Sequence, residues 1–322
     1  EDLGIRNSWR DPIVIENSSY VSISRCVIRG GQTAVLAKGD GAHHVLVEYC
    51  AWSQDSRVYT EWDWASLHHG ELKIYNGGIY GGNGAGGAVV RHNDVEDVFN
   101  GLRYWLGDAL AEKRAHQANL EVYGNRFRRC RDNIIEPENF AWNLHVYHNR
   151  LDSCPRGVFS FDGVSGGNSL VYGNVGKWAQ AGCVEASPWT IYKSGDYGRK
   201  ARLDAPLRIF HNSFSYGTAF VYSSKVKCND QYIHYNNAYR HGAGEADLGL
   251  KDWKGNACEF DYALSSSPWP PSLRALGFEL HGLPNTDPGF QSAPDDRYQL
   301  QSTSAARDRG KVLDAFTLWY LG

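Results

Sequence analysis

Two glutamates two residues apart, Glu136 and Glu138 in the stretch DNIIEPENF (132–140), are the first side chains in this sequence that suggest chemistry. On an extended strand alternate residues share a face, so both carboxylates project the same way. Like charges set side by side destabilise a sheet. Their repulsion raises a carboxyl pKa or holds a cation. One protonated and one ionised carboxyl group is the pair that hydrolysis of a glycosidic bond requires. Separations of about 5–5.5 Å suit retention and about 6.5–9.5 Å suit inversion.

The elements that would carry these residues follow from an internal repeat. VSISRCVI, VLVEYCAW, AVVRHNDV, LEVYGNRF, LHVYHNRL, LVYGNVG, LRIFHNSF and YIHYNNAY align as short strand-like runs. Each places Cys or Asn at a matching point: Cys26, Cys50, Asn93, Asn125, Asn149, Asn174, Asn212 and Asn236. The intervals are about two dozen residues or longer by an insertion, the period of one solenoid coil. Apolar residues stand three places earlier, at Val47, Val90, Val122, Val146, Val171, Ile209 and Ile233, and form an expected inward row. Asn at a repeated bend is expected to ladder from coil to coil. The best helical pattern, Leu106 to Gln117, falls inside a lengthened interval and reads as an excursion.

The repeat sets the acidic residues in columns. Eleven residues past each mark stand Ala37, Glu61, Tyr104, Glu136, Ser160, Glu185 and Ser223. Thirteen past stand Gly39, Asp63, Leu106, Glu138, Asp162, Ser187 and Lys225. Neighbours such as Ile135, Pro137, Phe159 and Phe161 are apolar, so the two columns are expected to face solvent. With strands about 4.8 Å apart, Glu136, Glu138, Asp162 and Glu185 form one outward patch, joined less securely by Glu61 and Asp63. Long insertions on either side offer Trp62, Trp64, Trp189 and Tyr192 as stacking surfaces, with His68, His69, Lys193 and Lys200 as polar groups; Tyr104, His145 and Lys225 are further candidates to bind substrate.

Coils of this kind resemble the right-handed parallel β-helices of the pectate-lyase-like superfamily, over about Pro12 to Tyr239. DPGF (287–290), YQL (298–300) and SAARDRG (304–310) look like the closing segment of secreted bacterial β-helix proteins. The expected fold is all-β: a single-stranded right-handed parallel β-helix of about eight coils over 1–241, then a C-terminal coil and capping tail over 242–322. The resemblance implies an enzyme that cleaves polysaccharide on the lateral sheet face. Catalysis would fall to Glu136, Glu138, Asp162 and Glu185 in a glycoside hydrolase. The alternative is a lyase acting on a uronate glycan, with Tyr104, Lys225, His145 or Arg103 as base or neutraliser. Its acids, Glu136, Glu138 and Asp162, would then bind Ca²⁺. A non-catalytic surface or glycan-binding β-helix is the third class.

Composition limits the choices further. The 322 residues carry a formal net charge of −3, which argues against a polycationic nucleic-acid binder. No apolar run reaches the length of a membrane span. Methionine is absent, including at position 1, which leads to the expectation of a removed secretion signal and a secreted protein. Seven cysteines show no C-x-x-C pair, so zinc is not expected. Cys26 with Cys50, and Cys130 with Cys154, stack one coil apart, either bonded or merely packed; Cys228 and Cys258 could tie the tail to the last coil.

Overall fold

The computed structural model describes residues 3–82, 84, 86–103, 118–137, 140–152, 156–161, 165–177, 190–194, 205–216, 220–224, 232–240, 258–269, 271–291, 298–315 and 317–318. One coil shows the plan. Ala118–Tyr123, Arg126–Cys130 and Asn133–Glu136 are three short strands separated by sharp bends. Each pairs in parallel with its counterpart one coil on, so the chain builds three lateral sheets around one apolar core. The first face runs from Ser22–Ser24 to Glu259–Asp261 and the second from Gly4–Ser8 to Leu264–Ser265. The third is a run of three strands followed by a run of five. Ile79 N donates to Gly101 O at 2.9 Å and joins the two. The ladder thus extends a coil beyond the repeats at each end, because those strands lack the Cys or Asn mark that betrays the others.

The inward row is as expected: Val47, Val90, Val122, Val146, Val171 and Ile209 are fully buried and stacked in register. The Asn ladder is also present. Asn93 Nδ2 donates to Val47 O at 3.0 Å and to Asn125 Oδ1 at 2.9 Å, while Asn125 Oδ1 also accepts from Asn93 N. The pattern repeats through Asn149, Asn174 and Asn212. It satisfies backbone groups that a buried bend would otherwise leave without partners. The residue before each mark turns left-handed, as at His92 (φ 54°), His148 (φ 52°) and Gly124 (φ 64°). A Cβ at Gly124 would lie 2.6 Å from the His92 ring, so glycine and histidine alternate at this corner.

Two details of the register differ from expectation. The last rung is Asn237, to which Asn212 Nδ2 donates at 3.0 Å, and not Asn236. Moving the mark by one residue, from 236 to 237, reverses which side chain is expected to face inward. His234 therefore takes the inward place opposite Ile209, in place of Ile233, and stacks on Phe260 at 4.4 Å. At the other end the column holds thiols: Cys26 N contacts Cys50 Sγ at 3.4 Å, and Cys50 N donates to Asn93 Oδ1 at 2.9 Å. Cys26 and Cys50 are free thiols, so this pair packs without bonding. Cys154, Cys228 and the helical pattern at 106–117 lie outside the described residues.

The C-terminal segment adds the coil at 259–265, a short helix Pro271–Ala275 and a tail. The tail lies on the outside of the first face, where Leu313 packs with Phe210 and Tyr235. The ammonium of Lys311 sits 4.2 Å over the Tyr235 ring.

Candidate active site on the third sheet face

The outward column of the third face reads Arg103, Glu136, Ser160 and Lys193. It is a mixed column and not the acidic wall expected of it. The coil after Asn174 carries its insertion before the strand Thr190–Ser194, which brings Lys193 into the place assigned to Glu185. Tyr192, read as an insertion residue, faces the core and stacks on Phe159 at 5.3 Å. Glu185 itself, with Glu138, Asp162, Tyr104, Trp189, Lys200 and Lys225, lies outside the described residues.

Glu136 does not face open solvent either. Asn133–Glu136 and Gly157–Ser160 are buried on both sides, and Glu136 is 3% exposed. Its carboxylate lies 3.5 Å from Arg103 Nε and accepts from Asn133 Nδ2 at 3.3 Å. The same amide nitrogen donates to Asp132 Oδ1 at 2.9 Å. Sharing one nitrogen caps the distance between these two carboxylate oxygens at about 6 Å, between the spacings of retaining and of inverting glycosidases. Asp132 is 4% exposed, and its second oxygen stands 3.8 Å from His68 Nε2. Arg131, fully buried, precedes Asp132 at the bend. Buried carboxylates persist only when paired and hydrogen-bonded in this manner.

The cover comes from an excursion between the second and third faces. It contains the helices Arg57–Thr60 and Trp64–His68 and the 3₁₀ turn Gly70–Tyr75. Gln54 fastens its base: its amide reaches Gly31 O, Gln32 O and Tyr75 O, and its oxygen accepts from Phe99 N at 2.7 Å. Asp63 caps the second helix, accepting from Ser66 N at 2.7 Å, a bond that lowers its pKa. Glu61 closes the first helix. Neither belongs to the sheet column, where the residues of that coil are Tyr80–Gly82, because the excursion delays the strand.

Val58, Leu67 and Phe99 form a small core of the excursion, and Trp62 and Trp64 pack on it half-buried. Their rings are partly spent on structure. Arg57 lies 4.8 Å over Trp62, Arg156 lies 4.5 Å over Trp64, and Trp64 contacts the His68 ring at 3.7 Å. His68 is the excursion residue that reaches the carboxylates, while His69 is exposed with its ring 6.4 Å from that of His68. His145 is not brought to the site: it sits on the first face between Glu121 and Leu170, where burial lowers its pKa. Among the described residues, no three His, Cys, Asp or Glu side chains gather as metal ligands would.

The structure thus unites Glu136, His68 and Trp64 from the expected set. Arg103, expected for the lyase alternative, and the insertion residue Lys193 stand in the Glu136 column, and Asp132, Asn133 and Arg156 are added. Asp132 heads the same DNIIEPENF stretch, but it falls on the bend, where strand alternation gives it no column. Pairing across to Glu136 sets Arg103 on the outer side. This cluster can hold one ionised carboxylate against an arginine and a second beside an imidazole, in a partly dry setting.

The comparisons agree with this architecture. A family model described as "Right handed beta helix region" matches residues 1–175. No curated protein and no solved structure matches the chain. Stacked parallel coils, an inward valine row and an Asn-laddered corner, with a family match over more than half the length, lead to one statement of kinship: the chain belongs to the right-handed β-helix family.

Proposed function

We propose that this protein cleaves a polysaccharide by hydrolysis on the third sheet face, with Asp132 and Glu136 as the reacting pair. The observation that carries the reading is the single Asn133 amide shared by two buried carboxylates on what would otherwise be an open lateral wall. Glu136, set against the Arg103 guanidinium, takes the role of nucleophile or base. Asp132, beside the His68 imidazole, is the proton donor. Glu138 and Asp162, expected on the same face, are the next candidates to act with them. Secretion, the expected setting for such an activity, belongs to the same proposal.

A lyase is the second reading, favoured by Arg103 and Lys193 standing in the Glu136 column. Cations there would neutralise a uronate carboxylate without Ca²⁺, and Lys193 would take the proton.

The test is product analysis on a panel of neutral and acidic glycans. Reducing ends without ultraviolet absorbance, lost at least about a hundredfold in Glu136→Gln, are the expected result. Absorbance from an unsaturated uronate, lost in Lys193→Ala and retained in Glu136→Gln, would replace hydrolysis with elimination. Cleavage unchanged in both variants would reject the site.

A further inference from the structure

A cleft of about 360 Å³ opens where the C-terminal tail crosses the bends between the first and second faces. That volume lies within the roughly 300–1,000 Å³ of small-ligand sites. The third face, with Glu136, is elsewhere on the solenoid. Asn236 ties the tail to the bends: its Nδ2 donates to Lys311 O at 2.9 Å and its Oδ1 accepts from Lys311 N at 2.7 Å. It is available for this because Asn237 takes the ladder position.

The lining has two characters. Its floor is apolar, with Leu264, Leu283 and Leu300. Around it stand His211, His281, Arg307 and Arg309, against Asp308 as the acidic lining residue. His281 is a held ring: its Nδ1 lies 2.7 Å from Asp261 Oδ2, and its backbone N–H donates to Asp261 Oδ1 at 2.8 Å. The Tyr262 ring stacks on it at 4.8 Å and 11°. A carboxylate on Nδ1 fixes the imidazole and leaves Nε2 for another partner. Arg307 and Arg309 are exposed, and Arg307 uses one donor on Ser302 O at 3.2 Å, keeping the rest of its five-donor fork.

An apolar floor beneath cationic, fork-shaped donors fits a ligand with a carbon face and an anionic group. We propose that this cleft binds one acidic sugar unit, its carboxylate or sulfate met by Arg307, Arg309 and His281 and its ring lying on the leucine floor. The sugar half of this assignment rests on the polysaccharide reading above; the anion half does not. Such a site would hold the chain to an acidic glycan while cleavage takes place on another face.

Calorimetric titration of the full-length Glu136→Gln chain, which does not consume the ligand, tests it with a uronate trisaccharide, a sulfated disaccharide, a neutral trisaccharide and inorganic sulfate. At least one acidic saccharide is expected to bind at a single site, tenfold or more tighter than the neutral one. Arg307→Ala combined with Arg309→Ala should weaken that binding tenfold or more at unchanged melting temperature, and His281→Gln should weaken it in the same direction. Unchanged affinity in the arginine variant, or equal affinity for the neutral sugar, overturns the proposal. Inorganic sulfate binding as tightly as the saccharides overturns its sugar half. Acidic saccharide binding in a wild-type chain that cleaves no glycan supports this site while rejecting the catalytic reading.

Discussion

The mark at Asn237 places an imidazole where the preceding coils carry valine or isoleucine and the next carries Phe260. His234 is buried, and burial drives its pKa well below 6.5. The folded chain therefore leaves it neutral at pH values where the unfolded chain protonates it. Below 6.5 the unfolded state binds more protons, and stability falls with pH. Glu279 works in the opposite sense. Burial pushes its carboxyl from an ordinary 4.5 up to about 8, even though it accepts from Ala263 N at 3.0 Å. The folded chain keeps that proton where the unfolded chain has released it, so this contribution is present below 4.5 and disappears as pH climbs through 8. His234→Leu should raise the melting temperature more at pH 5 than at pH 8. Glu279→Gln should do the reverse. Melting curves across pH 4.5–8.5 check both; identical shifts at the two ends would contradict the linkage.

At the scale of the element, the corner ladder is the main determinant of register. Asn149 serves both neighbours: its Nδ2 donates to Val122 O at 2.8 Å and to Asn174 Oδ1 at 3.0 Å, and its Oδ1 accepts from Asn125 N and Nδ2. Asn149→Ala removes these together and strands buried groups at about 1–3 kcal/mol each. Chemical denaturation should report a loss of several kcal/mol, whereas less than about 1 kcal/mol would mean the ladder is ornamental. This feature was legible in the sequence because Asn recurs with the inward valine row. His234 was not, since an alignment by Asn alone accepts either Asn236 or Asn237. The excursion was legible as an insertion but not as helices. Its apolar pattern spans only a turn at a time, and its packing depends on Phe99, forty residues from its start.

At the scale of the whole molecule, three faces divide the work. The first is sealed in part by the tail, the second carries opposed charges such as Arg128 with Asp94 and Glu96, and the third gathers the candidate site. The sequence placed the acids of DNIIEPENF on a common wall, and the coil period does bring Glu136 to the outer side of that wall. It could not disclose that Arg103 and Lys193 share the column, or that the excursion buries it. Both depend on where insertions fall within a coil, which a fixed count from the Asn mark ignores. The central claim is that glycan chemistry takes place at Asp132 and Glu136. The most direct measurement is a crystal structure of Glu136→Gln soaked with the oligosaccharide that the wild-type chain cleaves. A scissile oxygen within hydrogen-bond reach of residue 132, with the anomeric carbon facing residue 136, is the predicted result; a sugar chain bound along the first or second face, with the third face bare, would contradict it.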